Sequence, residues 1–127
     1  VNEHRPINLD LTTMKYPPMA IASILHRISG VILFILFPVI LYYLQLSLQS
    51  VDSFNHLQTM FHCICNKLVL WAFASAFIYH VIAGIRHVLM DFEVGDKLSS
   101  GRFGAIAVMV IAAILIIILG LWIWLPM

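Results

Sequence analysis

Three long apolar runs, separated by polar stretches, dominate the chain. The first extends from about Ile21 to Leu48, with an uncharged stretch between Arg27 and Gln45. The second lies mainly between Lys67 and Arg86 and continues to about Met90, and the third, Phe103 to Met127, contains no charged residue. Each reaches the roughly 20 apolar residues that cross a bilayer's hydrocarbon. A segment in hydrocarbon must satisfy its own backbone hydrogen bonds, so each is read as a helix. The pattern predicts an all-α integral membrane protein with three transmembrane helices at about 21–48, 67–90 and 103–126. Ahead of them lies a polar leader, residues 1–20, so that 21–127 forms the membrane domain.

Local signals refine the pattern. Pro17-Pro18 suits a helix starting just after it, because proline's missing N–H and fixed φ cost nothing in a first turn. Pro38, inside the first run, predicts a kink that neighbouring helices can accommodate. The first connection, about Gln49 to Asn66, is polar and rich in His, Gln and Ser, with room for a short amphipathic segment over Phe54, Leu57, Met60 and Phe61. The second, Asp91 to Arg102, is short and charged. No internal repeat or low-complexity tract is present.

Composition supports the membrane reading: 62% of the 127 residues are hydrophobic and 10% charged, against about a quarter charged in soluble domains. A net charge of +1 gives no reason to expect nucleic acid. The placement of the cations is more informative. Arg5, Lys15 and Arg27 flank the start of the first helix, Arg86, Lys97 and Arg102 surround the second connection, and only Lys67 lies at the opposite ends. The positive-inside rule then places the N-terminus and second connection in the cytoplasm, with the C-terminus outside. Trp122 and Trp124 would sit at the outer interface. A polar stretch precedes the first apolar run, so no cleavable signal peptide is expected.

Cys63 and Cys65 are the only cysteines. Their Cys-x-Cys spacing is too short for c-type haem attachment, which uses Cys-x-x-Cys-His. Even with His62 beside them four good ligands do not converge, so they read as ordinary thiols at a helix entrance.

Ionisable groups in hydrocarbon are costly and therefore point to function. At 1.5 Å per residue, His80 lies about 9 Å deeper than Arg86. Its helical face carries Phe73, Ala76, Ala83, Gly84 and His87. Small residues beside an imidazole would leave room for a flat macrocycle, and neutral imidazole is a standard axial haem ligand. Depth and face fit equally a histidine hydrogen-bonded to a neighbouring helix, with Ala83 and Gly84 serving close packing. A second cluster, Ser23, His26, Arg27, Ser29 and Gly30, opens the first helix. Ser23 and Arg27 share a face one turn apart and suit a carbonyl or carboxylate at the interface; Arg27 alone would read as a side chain snorkelling to headgroups. Near the second connection, Arg86, His87 and Asp91 suggest a local salt bridge, with His87 and Asp91 one turn apart. His56 and His62 read as solvated loop residues.

These residues carry a family resemblance. Arg5-Pro6-Ile7, followed by Ser23-Ile-Leu-His26-Arg27-Ile-Ser29-Gly30, resembles the first signature of the succinate dehydrogenase cytochrome b subunits. His80-Val-Ile-Ala-Gly84-Ile-Arg86-His87-Val-Leu-Met-Asp91 resembles the second. With three helices in the expected order, the likeness covers about the whole chain. After Arg5-Pro6 the sequence reads Ile-Asn-Leu-Asp-Leu instead of the Ser-Pro-His form of mitochondrial members, which implies a bacterial protein of the cytoplasmic (inner) membrane.

The resemblance implies a non-catalytic subunit of succinate:quinone oxidoreductase, forming half of a helical bundle with a second small membrane-anchor subunit. It implies His80 as an axial ligand to the iron of haem b, with the other ligand on that second subunit, and His26 and Arg27 near the haem propionates. Ser23, Ile24 and Arg27 match the ubiquinone site. Succinate oxidation would belong to a flavoprotein subunit, and onward electron transfer to an iron–sulfur subunit, because this chain has neither a dinucleotide-binding glycine motif nor a cysteine set for clusters. Two other readings remain open: the anchor of a fumarate reductase working with menaquinone, and a structural anchor without haem. A transporter has little support, since the third helix lacks any ionisable residue.

Overall fold

The computed structural model describes residues 17–92 and 98–125, with the side chains of 98 and 99 left out of the description. Residues 1–16, including Arg5, Pro6 and Lys15 of the expected leader, and Lys97 of the second connection lie outside the described residues. Four helices follow in order: α1 (Pro18–Gln49), α2 (Val51–Met60), α3 (Ile64–Asp91) and α4 (Leu98–Trp124). Three of them, α1, α3 and α4 from Ser100 onward, are long and apolar enough to cross a membrane.

The helix boundaries follow from local chemistry. Extended Pro17 caps α1, and Pro18 occupies its first turn. The helix continues as one element past Pro38. It stops at Ser50, whose extended backbone makes it at once the C-cap of α1 and the N-cap of α2. There Ser50 Oγ accepts from Ser53 N at 3.0 Å, while Ser53 Oγ accepts from Ser50 N at 2.9 Å. This reciprocal pair satisfies two donors that a helix start otherwise leaves bare. The amphipathic segment expected in the first connection is therefore a separate helix. Its Leu57 is buried, and Phe61 at its end packs edge-on against Tyr43 at 5.1 Å.

Side-chain links fix the topology. Tyr79 Oη donates to Ala22 O at 2.8 Å, and Tyr43 Oη donates to Asn66 Oδ1 at 2.7 Å. Going up α1 means going down α3, so the two are antiparallel. Trp71 Nε1 donates to Ile116 O at 3.1 Å and Arg86 Nη2 to Gly101 O at 3.3 Å, which makes α3 and α4 antiparallel as well. All three long helices touch one another. At one end lie the starts of α1 and α4 and the end of α3. At the other, Lys67 Nζ sits 5.5 Å from the ring of Trp124.

The interior is built from small residues. Ala22, Ala105 and Ala112 are at most 1% exposed, and no large side chain among the described residues is fully buried. Between lipid-soluble helices there is little hydrophobic drive to associate, so close backbone approach through small residues supplies the packing. The large apolar side chains point outward instead: Phe34 is 79% exposed and Ile117 59%. In water such surface would be untenable; in a bilayer it is the solvated face.

Candidate functional site

The helix ends that meet near the start of α1 gather the polar groups. Successive residues of a helix turn by 100°, so Ala22, His26, Ser29 and Gly30 share the side of α1 that meets α3. From α3, His80, Gly84 and His87 answer them. The His26 and His80 rings stack with centroids 4.1 Å apart and planes 8° from parallel. His87 lies against the other side of the group, its centroid 5.0 Å from that of His26.

The hydrogen bonds of His80 decide its tautomer. Ser29 Oγ donates its proton to His26 O at 2.7 Å. That oxygen is then free only to accept from His80 Nδ1, 3.0 Å away. The second neighbour of Nδ1, His26 O at 3.2 Å, is also an acceptor. Nδ1 must therefore carry the imidazole proton, which leaves the lone pair on Nε2. Nε2 makes no hydrogen bond with any described residue. Two glycines allow the arrangement. A Cβ on Gly30 would come within 3.2 Å of His80 Cε1, and one on Gly84 within 3.7 Å of His26 Nε2.

Of the two readings of the small residues around His80, room for a macrocycle or close helix packing, their burial supports the packing. Ala76 and Ala83 are 6% and 2% exposed, and Gly84 faces His26. They are used in helix contact, so any flat group on Nε2 must lie outside this packing. His80 lines neither the cavity between Leu25, Trp71 and Ile116 nor the one between Arg86 and Gly104.

Ser23, Ile24 and Arg27 occupy the flank of α1 next to the stack. Ile24 is 41% exposed, Arg27 is exposed and Ser23 partly so. Neither Ser23 nor Arg27 forms a hydrogen bond or ion pair with a described residue. His26 and Arg27, neighbours in sequence, thus point to different surroundings: one inward to α3, the other out from the bundle.

The salt bridge expected of Arg86, His87 and Asp91 does not form among the described residues. His87 turns toward His26, Asp91 is exposed, and Arg86 faces α4. One-turn spacing made the His87–Asp91 pair possible, but the ring finds a better-packed neighbour across the helix interface. Cys63 and Cys65 are free and exposed. Backbone N–H groups of Cys65 and then Asn66, at the start of α3, hold the Cys63 thiol below the ordinary thiol range. Among the described residues no group of three His, Cys, Asp or Glu is arranged to hold a bare metal ion.

Comparison with known proteins settles the family. Residues 1–119 match the model of the succinate dehydrogenase/fumarate reductase transmembrane subunits. The chain belongs to this family. It is 45% identical to the succinate dehydrogenase cytochrome b556 subunit of Coxiella burnetii over 125 residues, covering 98% of this chain and 100% of that one. Against the cytochrome b556 subunit of Rickettsia typhi the identity is 35%, covering 91% and 90%. Against the succinate dehydrogenase cytochrome b560 subunit of Porphyra purpurea it is 39%, covering 78% and 81%. A succinate dehydrogenase transmembrane subunit is a non-catalytic, multi-pass membrane part of an oxidoreductase complex, and the three long apolar helices agree with that.

The sequence marked His80, His26 and the Ser23–Arg27 flank. It gave no role to Ser29, which links the stack, or to Trp71, which ties α3 to α4. Ser29 stood in the first motif, one turn from His26, and that spacing was the available signal.

Proposed function

We propose that this chain holds haem b through His80 Nε2 and helps to form a ubiquinone-reduction site, while anchoring the flavoprotein and iron–sulfur subunits to the membrane. The observation that carries the reading is the fixed tautomer: Nδ1–H is engaged by Ser29 and His26 O, so the other ring nitrogen is presented as a neutral donor. A metal-binding histidine is usually oriented in this way, by a hydrogen bond from its second ring nitrogen. Bound haem supplies one-electron redox chemistry. His80 would supply one ligand of the iron; as the resemblance implies, the other would come from a second small membrane subunit whose helices would complete the bundle. The resemblance assigns His26 and Arg27 to the propionates; the exposure of Arg27 supports this for Arg27, whereas His26 packs inward on His80.

The quinone reading rests on the unpaired polar pair beside the stack. Ser23 donates a hydrogen bond to a quinone carbonyl, and the Arg27 guanidinium stabilises negative charge developing on the ring oxygen, where low dielectric strengthens the interaction. Ile24 packs on the ring. Two electrons arriving from the iron–sulfur subunit and two protons then give the quinol. The distribution of cations along the sequence supports this end of the bundle at the cytoplasmic face of a bacterial inner membrane, with the C-terminus on the periplasmic side. The names of the relatives favour succinate oxidation over the fumarate direction.

A reduced-minus-oxidised spectrum of the purified complex tests the central claim. The wild type should show a b-type band, and His80→Leu should lose or shift it. An unchanged spectrum in His80→Leu, or no band in an intact wild-type complex, sinks the haem assignment.

A further inference from the structure

A second polar group lies away from the histidine stack. Between the end of α3 and the start of α4 is a cavity of about 500 Å³, bounded by Ile82, Ile85, Leu89, Phe103, Val108 and Arg86 among others. Arg86 is the feature without a structural account. Among the described residues its buried Nε has no hydrogen-bond partner, and its one hydrogen bond is the long 3.3 Å contact from Nη2 to Gly101 O. No carboxylate among the described residues pairs with it. Leaving a guanidinium N–H unpaired away from water is costly, so a group that fills that place is strongly favoured. Gly104 lines it: a Cβ there would stand in ordinary contact, 3.6 Å from Arg86 Nε, so a longer side chain would compete for the space beside the guanidinium.

We infer that this groove binds an anionic phospholipid, its phosphate on the Arg86 guanidinium and an acyl chain along the apolar lining. Three observations select this occupant. Charge complementarity requires an anion. The space far exceeds that needed for an inorganic ion, and its walls are apolar. Depth agrees as well: Arg86 lies five residues before the end of α3 at Asp91, which at the helical rise is about 7.5 Å, the level of headgroup and glycerol. Ile85, Leu89 and Phe103 are 56%, 46% and 74% exposed, so the groove opens sideways to the bilayer. An arginine that only snorkelled would send its whole head to the surface; this one keeps Nε inside the groove. The inference is independent of the haem and quinone assignments.

The test uses the whole complex. Native mass spectrometry of detergent-released wild type should show a retained phosphatidylglycerol. Its affinity should fall about tenfold or more in Arg86→Gln, the order expected when a charge-assisted hydrogen bond is lost. Arg86→Lys should retain most of it. Gly104→Leu, which narrows the groove beside Arg86 without altering charge, should weaken it too. In parallel, delipidated wild-type complex should gain thermal stability from dioleoylphosphatidylglycerol, and not from dioleoylphosphatidylcholine or inorganic phosphate. An assembled Arg86→Gln complex that keeps phosphatidylglycerol like wild type overturns the inference and points to a partner-subunit carboxylate on Arg86. So does a wild type that prefers neither lipid, a result that stands even if the variants fail to assemble.

Discussion

Removing one hydroxyl should change the electronic character of the histidine stack. In Ser29→Ala, His80 Nδ1–H loses its acceptor at 3.0 Å and retains only His26 O at 3.2 Å. Ser29 is 5% exposed, so water does not readily replace the oxygen. A buried neutral hydrogen bond contributes about 0.5–1.5 kcal/mol net, and between membrane helices the mean is about 0.6 kcal/mol. With the weaker acceptor still present, the loss should fall near 0.5–1 kcal/mol. With haem on His80 as proposed, that hydrogen bond would make the imidazole a stronger donor and favour the more highly charged, oxidised iron. If all of it distinguished the two oxidation states, the midpoint potential would rise by at most about 20–40 mV, since about 59 mV corresponds to tenfold for one electron. The assay is a redox titration of the b-type band in the assembled complex, with Ser29→Thr as the rescue that keeps the hydroxyl. A potential in Ser29→Ala that equals wild type, or falls, refutes the orientation of His80 by Ser29. Haem loss in both variants would instead reveal a purely steric role.

Other outcomes follow from the same geometry. Arg27→Leu should abolish most quinone reduction while dye reduction by the catalytic subunits persists; equal loss of both activities would mean that Arg27 serves assembly. At Gly120 a Cβ would stand 3.0 Å from two Trp71 ring atoms, and the ring is pinned by its bond to Ile116 O. Gly120→Ala should therefore destabilise the subunit by about 1–3 kcal/mol, read as a lower melting temperature of the complex, and Trp71→Phe should relieve part of it. Cys63 should alkylate with a half-maximal rate at lower pH than N-acetylcysteine, because its lowered pKa gives more thiolate at any pH below the ordinary thiol range. Peptide mapping after timed iodoacetamide exposure separates it from Cys65, and coincidence with the free thiol's curve would contradict the backbone hydrogen bonds assigned to it.

Periodicity and cost made much of this legible beforehand. Three apolar runs dictate three spanning helices, and a histidine at hydrocarbon depth announces itself because burying it is expensive. The partner of that histidine was harder to see. Ser29 and His80 are 51 residues apart, and only the point at which α1 and α3 cross brings them together. The alanines beside His80 show why a pattern read along one helix is ambiguous. Their spacing defines a face, but what fills the space depends on a second helix. The Ser50–Ser53 pair was similarly hidden, since a serine at the third position replaces the usual acidic residue of a capping box. The expected His87–Asp91 bridge failed for a related reason: spacing permits a pair, while neighbouring side chains decide the rotamer.

The alanine interior also shapes how such a sequence can drift. Where Ala22, Ala105 and Ala112 meet their neighbours, only glycine or serine is small enough to substitute, and each step upward in volume separates two helices. Around Phe34 or Ile117, by contrast, any apolar residue is soluble in lipid, so substitutions there accumulate almost freely. Random mutagenesis under selection should therefore yield an inverted map. The smallest side chains would be the most intolerant, and the bulkiest ones the most replaceable.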